Sequence, residues 1–432
     1  MARQRTDIAT LLRGIEQAGG IDAYVDAQLR EHGFLVQRKP TDNMSQRELA
    51  RYKKELKDEA AERRKLRKEA REAYETQHIV YLGEGVFWND AYDYDKWDLE
   101  DAEERAAENE LPALDKPVQL ADALGITVPQ LRHLAYHRDC AEMVHYRRFT
   151  IPKRNGGERA IWAPLPRLKG VQRWVLRAIV ERLLIHGAAH GFVPGRGIHT
   201  NARIHRDASI VLKMDIKDFF PSVTFPRVRG VFRKAGYREQ IATLLALICT
   251  EAPREIVEED GKRWFVSLGP RCLPQGAPTS PALTNVVCLK LDRRLTGLAE
   301  KLGWRYSRYA DDMTFSRPRG AKGPPNFATL RSRARQIVMD EGFRVHPDKT
   351  HVARRGARQT VTGLVTNGDL PPRVPRRNRR QIRAAIHNLG QGKPLHDGET
   401  VDTLAGYIAY IAMTDRAAAD RLRQELSAAL GG

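Results

Sequence analysis

The chain has little cysteine: Cys140, Cys249, Cys272 and Cys288 are the only four in 432 residues, and no C-x-x-C pair occurs. That excludes a disulfide framework and a cysteine-ligated structural zinc, and it suits a reducing compartment. Long apolar runs are missing too. The best candidate, Ile241 to Cys249, falls well short of the ~18 residues that a membrane-spanning helix needs. Asp7, Arg13 and Glu16 interrupt what would be a signal-peptide core, so a cytoplasmic protein without membrane association is expected. Acid is also scarce relative to base: 73 Lys+Arg face 54 Asp+Glu, a net charge of +19. A surplus of that size points to a polyanionic partner, because cationic side chains displace the counterions condensed on phosphates. The length exceeds one typical core and predicts two or three domains.

Along the chain, Ile8, Leu11, Leu12 and Ile15 recur at helical spacing, and after a Gly19-Gly20 break a second helix is expected around Tyr24 to Leu29. From Ser45 to about Glu75 the sequence is intensely charged, with Glu59 and Arg63 one favourable i,i+4 pair. A long solvated helix is the plain reading; a nucleic-acid-facing use of Arg63, Arg64, Lys65, Arg67 and Lys68 stays open. His78 to Trp88 reads as a strand and turn, Asp90 to Glu110 as a linker or surface helix, and Pro117 to His137 as two short helices joined at Gly125. The last pair offers a DNA groove only Arg132 and His133, too few for a recognition helix, so packing is favoured.

Phe149 to Lys153 and Arg159 to Trp162 flank Asn155-Gly156-Gly157, a hairpin pattern. Lys153 and Arg159 would project from it, one as a point charge and the other as a fork, suited to cradling a triphosphate. Arg167 to Leu184 is amphipathic, and Ala189 to Gly197 supplies a glycine-rich loop that would let backbone approach a template. Further on, Arg305 to Tyr309 alternates in the β manner and Met313-Thr314-Phe315 resumes it, with Asp311 and Asp312 between. Consecutive strand residues face opposite ways, so both acids reach one cation only if a tight turn re-aims one of them. Carboxylate oxygens suit Mg²⁺, and a two-metal phosphoryl transfer needs ions roughly 4 Å apart bridged by a shared carboxylate. The third acid is expected at Asp215, where the strand-like Val211 to Met214 runs into Asp215-Ile216-Lys217-Asp218-Phe219-Phe220.

These segments, in this order, resemble the bacterial reverse transcriptases of the retron and group II intron kind. The motifs are Ile-Pro-Lys (151 to 153), Gly-Phe-Val-Pro-Gly-Arg (191 to 196), Asp-Ile-Lys-Asp-Phe-Phe (215 to 220), Leu-Pro-Gln-Gly-Ala-Pro-Thr-Ser-Pro (273 to 281), Tyr-Ala-Asp-Asp (309 to 312), Gly-Phe-x-Val (342 to 345) with Lys349-Thr350, and Val-Thr-Gly (361 to 363). Asn201-Ala202-Arg203-Ile204-His205 and the Val-Thr-Gly are similar to retron signatures. The long N-terminal extension resembles that of myxobacterial members.

The resemblance implies an α+β right-hand polymerase fold: a mainly helical extension over 1–140, fingers and a palm with an antiparallel sheet over 141–365, and a helical thumb over 366–432. It implies RNA-directed DNA polymerase activity with Asp215, Asp311 and Asp312 as catalytic acids, which with the Ile216 carbonyl would bind two Mg²⁺. Phe220 is implied as the steric gate, Gln275 and Gly276 as nucleotide-pocket residues, Lys349 as a residue near the primer end, and Asn201 and His205 as RNA or primer contacts, although their i,i+4 spacing equally suits a helix-capping or core hydrogen bond. In the thumb, Arg376, Arg380 and Arg383 lie on one helix face and Ile382, Ile386 and Leu389 on another, so the arginines should track a duplex backbone. The implied partners are a cognate structured noncoding RNA, its msDNA product primed at a guanosine 2′-hydroxyl, deoxynucleoside triphosphates and an effector encoded nearby in anti-phage defence. A group II intron-like or other bacterial defence reverse transcriptase and a non-catalytic RNA-binding scaffold remain as alternatives.

Overall fold

The computed structural model describes residues 8–31, 39–86, 99–138, 145–152, 156–396 and 399–431. Its N-terminal part is helical: Ile8–Gln17, Ile21–Glu31 and the 30-residue helix Gln46–Glu75. The last starts at a capping box, with Ser45 accepting from the Glu48 amide and the Glu48 carboxylate accepting from the Ser45 amide, which satisfies two otherwise orphaned donors. It contains neither glycine nor proline, and none of its residues is buried. The expected strand at His78 forms only a single bridge, Gly83 to His137, and residues 87–88 lie outside the described residues. Pro117–Ala123 and Val128–Ala135 are the two short helices; Leu120, Val128, Leu131 and Leu134 are buried in the main core, as packing requires.

Ten strands follow. β1 (Tyr146–Pro152) and β2 (Glu158–Pro164) form one hairpin, and β4 (Arg254–Glu259) and β5 (Lys262–Ser267) another. The central sheet is antiparallel, in the order β6 (Arg305–Tyr309), β7 (Asp312–Pro318), β3 (Ala208–Asp215), β8 (His351–Arg354). A short pair, β9 (Thr360–Val361) and β10 (Leu364–Val365), leads to helices Arg376–Gly390, Val401–Ala412 and Arg416–Ala429.

Helix Glu239–Cys249 is buried from Ile241 onward, which explains its lack of polar periodicity. It packs in the main core with Leu212, Met214, Met313 and Phe315 of the sheet. A second core gathers the three C-terminal helices through Ile382, Ile386, Leu404, Ile408 and Leu422, and reaches the sheet at Ala208 and Val211. Among the described residues no helix is long and apolar enough to cross a membrane.

Candidate active site

The acids meet at the end of the central sheet. β6 and β7 are closed by the pair Tyr309↔Asp312, which leaves Ala310 and Asp311 as a two-residue turn. Ala310 sits at φ 54°, a left-handed backbone that favours glycine and is strained for alanine. Asp215, the last residue of β3, lies directly opposite Asp312. The Ile216 amide donates to the Asp311 carbonyl at 2.9 Å, tying the turn to the end of β3. Residues two apart on a strand share a face, so Lys213 stands beside Asp215 and reaches Asp312 at 3.3 Å, while Lys349 reaches Asp215 at 3.0 Å.

Burial pushes the Asp311 carboxyl above the usual range, and the nearby Asp215 charge adds to it. Burial also raises Asp312, partly offset by Lys213. Crowded, desolvated carboxylates of this kind are hard oxygen donors whose repulsion a divalent cation relieves. Among the described residues the Ile216 carbonyl accepts no protein hydrogen bond, so it can join such a set. Among the described residues no group of three metal-ligating side chains converges on one point. Asp215 and Asp312 are held by their lysines instead.

What supports the turn from below is absent from the sequence reading. Arg308 and Asp292 are both 0% exposed and form a bidentate pair, Nε to Oδ1 at 2.8 Å and Nη2 to Oδ2 at 2.7 Å. Tyr306 also donates to Asp292, and the remaining Arg308 nitrogen donates to the carbonyl of Ala310 at 3.0 Å. The strained alanine is thus held by a buried guanidinium. Gly191 presses on the other side: a Cβ there would lie 2.6 Å from the Ala310 amide nitrogen. Within the glycine-rich loop, Gly191 is therefore needed for close packing against the acidic turn.

A cavity of about 580 Å³ opens in front of the acids, and its walls include Arg159, Asp215, Phe220, Gln275, Asp311 and Lys349. The Ile216 backbone is on the same wall, whereas Asp312 and Gly276 are not. Phe220 is half-buried and packs on Phe219, which packs on Phe343. Gly276, at φ 132°, brings Gln275 against β2, where the Trp162 amide donates to the Gln275 carbonyl at 2.8 Å; a Cβ at Gly276 would come within 2.6 Å of the Trp162 carbonyl oxygen. Lys153 lies outside the described residues.

Two expected RNA contacts are corrected by burial. Asn201 and His205 are 1% and 0% exposed, so neither offers a surface to RNA. His205 is wedged between Ser316 at 2.7 Å and Ser307 at 2.6 Å, and Ser307 donates to Asn201. Burial pulls the His205 imidazole down to about 3, with the nearby Arg305 charge adding to it. The pair braces β6 and β7 from behind; an i,i+4 polar pair looks the same in sequence whether it faces water or core. Arg376, Arg380 and Arg383 are exposed on their helix, on a different face from the buried Ile382 and Ile386, and are far along the chain from the acids.

Comparison with known proteins agrees with this geometry. Residues 151–388 match the reverse transcriptase (RNA-dependent DNA polymerase) family. The chain is 51% identical to the Retron Mx162 reverse transcriptase of Myxococcus xanthus over 96% of its own length and 88% of that protein's. It is 43% identical to the Retron Mx65 reverse transcriptase of the same organism, over 75% and 74%, and 33% identical to the Retron Ec86 reverse transcriptase of Escherichia coli, over 72% and 88%. A relative this similar over nearly the whole chain extends the match through the N-terminal helices, beyond the catalytic motifs. The family uses divalent metal ions, an RNA template and deoxynucleoside triphosphates, and the acids at the sheet end, with Arg159 and Lys349 on the cavity wall, have the matching chemistry. This chain belongs to the retron reverse transcriptases and is an RNA-directed DNA polymerase with the right-hand fold.

Proposed function

We propose that this enzyme copies its own structured noncoding RNA into msDNA, starting at a guanosine 2′-hydroxyl of that RNA, and that it acts in anti-phage defence with an effector encoded nearby. The observation that carries the catalytic part is the register Asp215↔Asp312 with Asp311 on the adjoining turn. It brings acids from two distant stretches to one sheet end. In this reading Asp215, Asp311, Asp312 and the Ile216 carbonyl hold two Mg²⁺, which when bound lower the pKa of the attacking hydroxyl and steady the leaving pyrophosphate.

The chain's own residues do the rest. Arg159, with Lys153, grips the triphosphate; Gln275 and Gly276 line the nucleotide pocket; Phe220 packs under the sugar and excludes a 2′-hydroxyl. Lys349, now on Asp215, turns to the primer end. The primer oxygen bonds to the α-phosphorus and pyrophosphate departs. Residues 141–365 act as fingers and palm and 366–432 as thumb, with Arg376, Arg380 and Arg383 following the duplex backbone.

The test is to purify the protein from its native locus and sequence the bound nucleic acid with and without debranching enzyme. A branched RNA–DNA molecule whose DNA disappears in Asp312→Ala is expected. A linear 3′–5′ junction removes the 2′-priming reading, and undiminished DNA in the variant removes the proposed acids.

A further inference from the structure

Helix Gln46–Glu75 carries eleven Lys and Arg and eight Asp and Glu, and it sorts them by side. At 3.6 residues per turn, nine of the eleven cations fall within an arc of about 160°. Lys53, Lys57, Arg64, Lys68 and Arg71 run down its middle. Only Glu72 and Glu75, in the last turn, share that arc; the other six acids lie on the opposite side with Arg51 and Arg63. Those two arginines pair with Glu55 and Glu59, and Lys65, Lys68 and Arg71 of the cationic arc pair with Glu69, Glu72 and Glu75. By contrast, among the described residues no ion pair joins Lys53, Lys54, Lys57 or Arg64, and all four are exposed.

Random placement of charges, or placement for helix stability alone, would mix the signs on every side of the helix. Segregation instead gives one face a concentrated positive potential over about 45 Å, the length of 30 residues at 1.5 Å each. That face has no aromatic side chain: Tyr52 and Tyr74 lie off it. It therefore lacks the stacking platforms that bind single strands. It also lacks the row of amide side chains that reads base edges, with Gln46 alone at its end. A straight row of cations without rings or amides fits the phosphate backbone of a double helix.

We infer that the Lys53–Lys57–Arg64–Lys68 face of this helix is a docking surface for duplex nucleic acid, recognised through its phosphates and without regard to sequence. The inference rests on the RNA partner proposed above, since a stem of that RNA would supply the duplex. It refines the sequence reading, because Arg63 points away from this face while Lys53, Lys54 and Lys57 join it.

The experiment uses the full-length chain and a 20-base-pair RNA hairpin, with a DNA hairpin of the same sequence as a second arm, and measures Kd against salt. The test variant is Lys53→Gln/Lys54→Gln/Lys57→Gln/Arg64→Gln, which keeps good helix formers and breaks no ion pair. The control is Arg51→Gln/Arg63→Gln on the other side, and circular dichroism verifies equal helix content. The expected result is a loss of about 3 to 4 in the slope of log K against log salt, at roughly one per cation removed. The control should leave the slope nearly intact. A response from both hairpins, or from RNA alone, supports the surface. Unchanged affinity in the test variant overturns it, as does an equal loss in the control or an RNA-independent dimer that the test substitutions dissolve. Arg380→Gln/Arg383→Gln separates the two readings: if that variant loses RNA while the helix variant does not, the helix surface falls and the RNA partner stands.

Discussion

Beneath the acidic turn and along helix Gln46–Glu75 the chain is equally rich in polar groups, and it uses them in opposite ways. Under the turn, Arg308 and Asp292 are sealed from water and satisfied by each other, by Tyr306 and by the Ala310 carbonyl. On the helix every charge is at the surface and the pairs are i,i+4 contacts between exposed side chains. A buried ion pair holds a shape, because removing one partner strands the other in a low dielectric. An exposed pair is worth a few tenths of a kcal/mol. The first region therefore fixes geometry, and the second presents a potential.

The largest expected effect breaks the chemistry alone. Asp312→Asn should cut DNA synthesis by about 10³-fold or more, about 4 kcal/mol at 1.36 kcal/mol per tenfold, while RNA binding persists. In metal-free buffer the same variant should unfold slightly higher, by roughly 1 °C, since it removes one of the crowded carboxylates. A lower melting temperature would mean that the Lys213 pair outweighs the repulsion.

Arg308→Met comes next. Leaving Asp292 buried and alone should cost about 3–5 kcal/mol in denaturant unfolding. Arg308→Met/Asp292→Leu should recover most of that stability, yet stay slow in synthesis because the Ala310 carbonyl has lost its donor. Full activity in the double variant would show that the turn holds itself.

His205 tests the same buried layer by pH. Its folded value of about 3 lies below the ordinary 6.5, so its contribution is complete above about pH 6.5 and is lost as pH falls toward 3. His205→Asn, which cannot take up the proton, should show a shallower fall in stability over that window. Equal slopes for variant and wild type would place the acid sensitivity elsewhere.

At the small end, Arg51→Gln removes an exposed pair with Glu55 and should change stability by less than about 0.5 kcal/mol. A larger loss would give the helix surface a structural role and erase the contrast between the two regions.

Much of the site was legible because its cues are local. The alternation of Arg305 to Tyr309, the break at Ala310-Asp311 and the acid ending Val211 to Asp215 all lie within single strands and one turn. Arg308 with Asp292 was not legible: the partners are sixteen positions apart, one in helix Leu289–Lys301 and one in β6. Nothing in either stretch says that they meet. Asn201 and His205 left RNA contact and a core hydrogen bond both open and belong to the interior, because side-chain type does not encode which way a helix end is turned. The loop holding Gly191 was read for its flexibility, whereas the need for glycine at 191 is set by a turn more than a hundred residues away.

By itself, then, the sequence determined the order of elements, the three acids, the charge of the N-terminal helix and the membership of the family, since periodicity, turn chemistry and motif order are written in neighbouring residues. Only the tertiary structure decided which polar groups are buried and with whom, and so what holds Ala310 in a backbone that alanine disfavours. Those partners come from segments far apart in the chain, and packing alone selects them.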